Sequence, residues 1–154
     1  MTNPFMARAI HLSIESVDSG GGSFGAVVAR GDEVVAESAN RVALSNDPTA
    51  HAEVLAIRLA CVKLGTFELK GCDLYSSCEP CPMCLGAAYW ARVERIYFAS
   101  TAEDASRAGF DDSSIYSEFN LPHADRRISS TQIMREEALA AFRAWAEKQD
   151  KTNY

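Results

Sequence analysis

The chain has 154 residues, 47% of them apolar and 23% charged, and fifteen basic against twenty-one acidic side chains leave a net charge of −6. That length suits a single domain around one core, and the composition excludes a disordered or fibrous chain. The acidic balance disfavours binding to nucleic acid, and the longest apolar run, about Leu85 to Ala91, is far short of the roughly 20 residues of a membrane span. Met1 to Ala9 lack a basic stretch leading into an apolar one, so a secretory leader is not expected and the cytoplasm is the expected location.

An amphipathic helix is expected from about Pro4 to Val17, with Met6, Ile10, Ile14 and Val17 on its apolar face. Ser19-Gly20-Gly21-Gly22-Ser23 ends it and reads as a flexible turn. Two short strands follow, Phe24 to Ala29 and Glu33 to Ala39, around a Gly31-Asp32 turn. Asn40 to Asn46 is irregular. Asp47-Pro48 resembles a helix start, and the helix should run from Pro48 to Leu64, where Gly65 stops it.

Cys72 to Ser76 reads as a strand, about Cys81 to Ala91 as a helix, and Arg95 to Ala99 as another strand. Ser100-Thr101-Ala102-Glu103 has capping-box spacing for a short helix. Gly109 to Asn120 is mixed, and Ile133 to Lys148 is a final amphipathic helix before a polar tail. Trp90 and Trp145 read as core side chains. The alternation favours an α/β layered domain with a mixed sheet, and the Cys72 to Ala99 strand–helix–strand unit should be parallel.

Five cysteines remain: Cys61, Cys72, Cys78, Cys81 and Cys84. An odd count in a chain without a leader argues against a disulfide framework. His51-Ala52-Glu53 lies near one predicted helix start and Pro80-Cys81-Pro82-Met83-Cys84 opens the next. One imidazole and two thiolates suit tetrahedral zinc with the fourth position left for water, one ion per chain. Cys81 and Cys84, three apart on a first turn, face one way at the positive end of a helix dipole. Glu53 is placed to move protons rather than to bind the metal. A closed structural site that adds Cys78 is the competing arrangement.

The pair H-x-E and P-C-x-x-C is the signature of zinc nucleobase deaminases. The chain resembles the cytidine deaminase-like superfamily over about Phe24 to Ala99, through His51-Ala52-Glu53-Val54 and Ser77 to Ala87. Within it, the chain is similar to the bacterial guanine deaminases. That similarity rests on Tyr89-Trp90-Ala91-Arg92, Ala108-Gly109-Phe110-Asp111-Asp112-Ser113, Ile115-Tyr116 and the terminal Tyr154. The resemblance implies a three-layer α/β/α fold with a mixed five-stranded sheet. It also implies zinc on His51, Cys81 and Cys84, catalysis by Glu53, and substrate contacts from Asn40, Ala52, Asp112 and Tyr154. It further implies a homodimer in which the C-terminal segment, about 130–154, is exchanged between subunits. The implied reaction is hydrolysis of guanine to xanthine and ammonia. A tRNA adenosine deaminase shares both zinc motifs, but the net charge of −6 and the single adjacent basic pair Arg126-Arg127 disfavour an RNA substrate. Guanosine, cytidine and a non-catalytic zinc domain are the further alternatives.

Overall fold

The computed structural model describes residues 2–154. Where one domain is expected from the length, two compact units are present, Met1–Ser113 and Ser114–Tyr154. The first opens with helix α1 (Pro4–Asp18), in which Asn3 caps the start by accepting the Met6 N–H at 3.0 Å and Pro4 supplies a preset φ. Its packed side is not the expected one. Ala9 and Ser16 are buried and Phe5, Met6 and Leu12 partly so, whereas Ile10, Ile14 and Val17 are exposed. The cause is the closeness of helix and sheet. A Cβ on Gly25 would lie 2.3 Å from the Ala9 carbonyl oxygen, so only small side chains fit beneath this part of the helix.

Strands β1 (Gly25–Arg30) and β2 (Glu33–Ala39) form the predicted hairpin, with Gly31 at φ +58° in the turn. Strands β3 (Asp73–Cys78) and β4 (Arg95–Ser100) complete a sheet in the order β2-β1-β3-β4. β1 runs antiparallel to both neighbours, and β3 and β4 are parallel, as expected for that unit. The sheet is mixed but has four strands among the described residues, not five. After β4 the chain turns at once into helix α5 (Ala102–Arg107) through a capping box between Thr101 and Asp104. The box falls one residue later than expected because Ser100 closes the strand, donating its hydroxyl to the Ser77 carbonyl at 2.8 Å.

Side-chain alternation along β1 divides the core between two faces. Ala26 and Val28 pack with Leu74 on the side of helices α3 (Ala52–Leu64) and α4 (Pro82–Trp90). Val27 and Ala29 pack with Tyr75 against α1. The result is the expected three-layer α/β/α arrangement. α1 is also pinned to the sheet by Arg8, which donates to both Glu37 oxygens at 2.6 and 3.0 Å and holds that carboxyl below its usual range.

The long helix begins at Ala52 rather than Pro48. Asp47 instead closes a local turn, its Oδ1 accepting both the N–H and the hydroxyl of Thr49. The stretch before it contains an unforeseen one-turn helix, α2 (Val42–Ser45). Gly65 ends α3 at φ +64°, as its position predicts.

The second unit holds helix α7 (Arg135–Glu147), a short 3-10 turn at His123–Asp125 and most of helix α6 (Ser113–Phe119), in a stretch expected to be mixed. Glu118 accepts the Arg127 N–H at 2.9 Å, and the Tyr154 ring stands edge-on to Trp145 at 6.5 Å. Neither tryptophan is in a core: Trp90 is 67% exposed and Trp145 39%. Among the described residues, no helix is long and apolar enough to cross a membrane.

Candidate metal centre and active site

Strand pairing gathers the chemistry at one end of the sheet. Gly25 opposes Ala39, Ala26 opposes Ser76, and Cys78 lies beside Ser100. The chain therefore enters β1 from Phe24, leaves β2 at Asn40 and leaves β3 toward Cys81 at the same end. In open α/β sheets the crevice beyond the carboxyl ends of parallel strands is the usual ligand position.

His51 is the N-cap of α3 and Cys81 the N-cap of α4, each in extended conformation and just ahead of the first turn in which it was expected. Neither side chain caps its own helix, so both donors remain available. Cys84 follows in the first turn of α4. The His51 Nδ1 lies 3.6 Å from the Cys81 sulfur and 3.4 Å from the Cys84 sulfur, and the two sulfurs are 3.5 Å apart. A zinc tetrahedron with bonds of about 2.0–2.3 Å has ligand–ligand edges of about 3.3–3.8 Å. The three donor atoms match that frame, and they form a mutually adjacent group.

The electrostatics agree. The contact with the Cys84 sulfur, helped by His51, lowers the Cys81 thiol to about 4. The same contact, with burial and the nearness of Glu53, pushes the Cys84 thiol up. Cys81 also raises the pKa of His51. Two thiolates 3.5 Å apart would need a compensating cation, and a dication bound by both would supply it. Cys78 takes no part. Its S–H donates to the Thr101 carbonyl at 3.6 Å, and burial raises its thiol. The closed four-ligand site is therefore not formed.

Glu53 sits in the first turn of α3, only 4% exposed. Its Oε1 accepts the Ser76 hydroxyl at 3.1 Å, and its Oε2 lies 3.4 Å from the Cys84 sulfur. Burial raises its pKa. Ser76, on β3, fixes the carboxyl orientation from the sheet side.

A cavity of about 370 Å³ opens in front of this group. It is lined by His51, Glu53 and Cys81, by Phe24, Asn40 and Val42, and by Glu79, Phe110, Asp111 and Asp112. Burial, then the Cys81 sulfur, raises the Asp112 carboxyl. Asp111 is held by the loop, accepting the Ser113 N–H at 2.9 Å, and its pKa is lowered. Of the residues the resemblance assigns to substrate, Asn40 and Asp112 line this cavity. The Ala52 side chain is fully buried in the apolar cluster instead. Tyr154 is in the second unit, lining a separate hollow with Phe142 and Trp145.

Two wall residues have no signal in the spacing. Phe24 meets Phe110 edge-on at 4.9 Å and closes the cavity with an apolar face. Glu79 accepts the Ala102 N–H at 3.0 Å and so ties the loop before Cys81 to the start of α5.

Comparison with known proteins agrees with this geometry. A guanine deaminase from Bacillus subtilis (strain 168) is 50% identical over 151 residues, 97% of each chain. A tRNA-specific adenosine deaminase from Aquifex aeolicus (strain VF5) is 34% identical over 137 residues, 87% of this chain and 86% of the other. An X-ray structure of guanine deaminase from Bacillus subtilis superposes with a TM-score of 0.96 at 49% identity, covering 100% of this chain and 99% of that one. Residues 2–100 match the family described as the cytidine and deoxycytidylate deaminase zinc-binding region, a match that spans the histidine, both cysteines and Glu53. With that match and the three donors in one frame, the chain belongs to the zinc-binding cytidine and deoxycytidylate deaminase family.

Proposed function

We propose that the protein hydrolyses guanine to xanthine and ammonia, with catalysis by Glu53 at a zinc centre of His51, Cys81 and Cys84. The observation that carries the proposal is a buried carboxylate lining a cavity beside an incomplete tetrahedral donor set, in a chain half identical along its length to a guanine deaminase. Zinc bound there supplies Lewis acidity, bringing the pKa of water in the open position to about 7.

Glu53 takes the proton of the attacking water and carries it to the purine ring as the amine-bearing carbon becomes tetrahedral. The second water proton, on the hydroxyl of that carbon, is then passed through Glu53 or Asp112 to the departing amine as the hydroxyl becomes the carbonyl. The carbon–oxygen bond formed replaces the carbon–nitrogen bond broken, and water and guanine become xanthine and ammonia. Asn40 and Asp112 hold the ring edges, the first as donor and the second as acceptor, and Phe24 covers a ring face. Among the described residues the cavity wall carries no Lys or Arg, so a phosphorylated substrate has no countercharge there.

The test is ammonia release from guanine, guanosine, adenine, adenosine, cytosine and cytidine by zinc-loaded protein. Guanine is expected to be turned over fastest. Faster release from adenosine in a tRNA anticodon stem, run alongside, would move the assignment to the tRNA branch.

The chain works in the cytoplasm as a homodimer in which the segment about 130–154 is exchanged and Tyr154 completes the partner's cavity. None of the five cysteines is in a disulfide, which suits a reducing compartment. The compactness of residues 114–154 as a unit of their own suits exchange. Deletion of Asn153 and Tyr154 should lower kcat/KM for guanine about tenfold, the scale of a lost contact of roughly 1.4 kcal/mol. A truncated protein with native kinetics, or a monomer by sedimentation, removes the exchange from the account.

A further inference from the structure

Asn40 is buried, 7% exposed, and held on nearly every side. Its N–H donates to the Phe24 carbonyl at 2.9 Å, and its own carbonyl accepts the Ser16 hydroxyl at 3.2 Å. Its side-chain Oδ1 accepts the Val42 N–H at 3.1 Å. That last bond fixes which way the carboxamide faces. The oxygen is used internally, so the N–H₂ group is the one left for a ligand in the cavity.

The wall behind this side chain is the paired glycine Gly21-Gly22. A Cβ on Gly22 would lie 3.0 Å from both Cγ and Oδ1 of Asn40. A Cβ on Gly21 would lie 2.7 Å from the Asn40 carbonyl oxygen and 2.5 Å from the Ser16 hydroxyl. Neither has the left-handed φ that favours glycine, whereas Gly20 does, at +83°. The backbone would accept a side chain at 21 and 22; the space would not. The run Ser19 to Ser23 is therefore not merely a flexible turn, because two of its glycines stand where a Cβ would collide with a cavity residue.

We propose that Gly21 and Gly22, with Ser16, are positioning residues: their bare backbone leaves the space in which the Asn40 carboxamide keeps the register where its N–H₂ meets an acceptor atom of the bound base. The inference rests on the assignment of Asn40 as a substrate contact. A methyl group at 22 displaces the carboxamide by a few tenths of an ångström or breaks its bond to Val42, misaligning the donor without touching Glu53 or the metal ligands.

The test is steady-state kinetics on guanine with zinc-loaded Gly22→Ala, Asn40→Ala, the double variant and Ser16→Ala, each checked for zinc content and thermal stability. Gly22→Ala is expected to raise KM roughly tenfold, the scale of one lost neutral hydrogen bond, with kcat within about twofold and one zinc per chain retained. In the Asn40→Ala background the same substitution should add nothing, since no carboxamide remains to displace. Ser16→Ala adds no atom and is expected to raise KM about two- to fivefold, which keeps the inference open to refutation if Gly22→Ala does not fold. A normal KM in Asn40→Ala overturns both the contact and the brace. A raised KM in Asn40→Ala with a normal KM in Gly22→Ala, or additive effects in the double variant, overturns the brace alone. So does a normal KM in Ser16→Ala.

Discussion

Glu53→Gln lowers kcat for guanine by about 10²- to 10⁴-fold, the usual worth of a positioned acid–base group, while zinc stays at one per chain. The substitution keeps the shape and keeps an oxygen to accept the Ser76 hydroxyl. What it removes is the ability to take and return a proton. The cavity offers no ready replacement at the same place. Asp112 comes from the loop after α5 rather than from α3, and Cys81 and Cys84 are committed as ligands. KM should change little, because the carboxamide is nearly the size of the carboxyl. Initial rates of xanthine formation with metal analysis on the same samples check this. A variant within tenfold of the native kcat would remove Glu53 from the proton path.

Cys84→Ser is expected to empty the centre. A serine hydroxyl is a poor zinc ligand because it stays protonated at neutral pH, and the remaining His51 and Cys81 give only two donors. Changes one shell further out already cost about 10- to 100-fold in metal affinity at comparable sites. The loss here should exceed that, and turnover should fall with it. Stability should fall as well. Zinc present at about 100 times its dissociation constant stabilises the native state by about 2.7 kcal/mol. For a chain of this size the loss lowers Tm by roughly 5–10 °C. Calorimetry of the native protein and the variant, with zinc measured in each, tests both effects. A Cys84→Ser protein with full zinc and native Tm would contradict the ligand assignment.

The elements that were legible in the sequence are those fixed locally. Asn3-Pro4 starts α1, Gly31-Asp32 makes the hairpin and Gly65 stops α3, because each acts through its own backbone. The metal site was legible for a similar reason. Two ligands lie three residues apart at one helix start, and the third is two residues from the acid that accompanies it. What escaped depends on distant contacts. The packed face of α1 is set by the approach to Gly25, not by where the large apolar side chains fall. The start of α3 moved because Thr49 satisfies Asp47 in a turn of its own. The fifth strand came from resemblance rather than from pattern, and the Thr101–Asp104 cap leads the chain into a helix where β4 ends. Phe24 and Glu79 reach the cavity through strand pairing and a loop-to-helix bond, neither of which leaves a mark in the spacing.

The central claim is that one zinc ion, held by His51, Cys81 and Cys84, is required for guanine hydrolysis. Titrating zinc into metal-stripped native protein while recording ammonia release from guanine tests it most directly. Turnover should rise linearly with bound zinc, from near zero, and level off at one ion per chain. Full turnover by the stripped protein, or a plateau that needs a second ion, would contradict it.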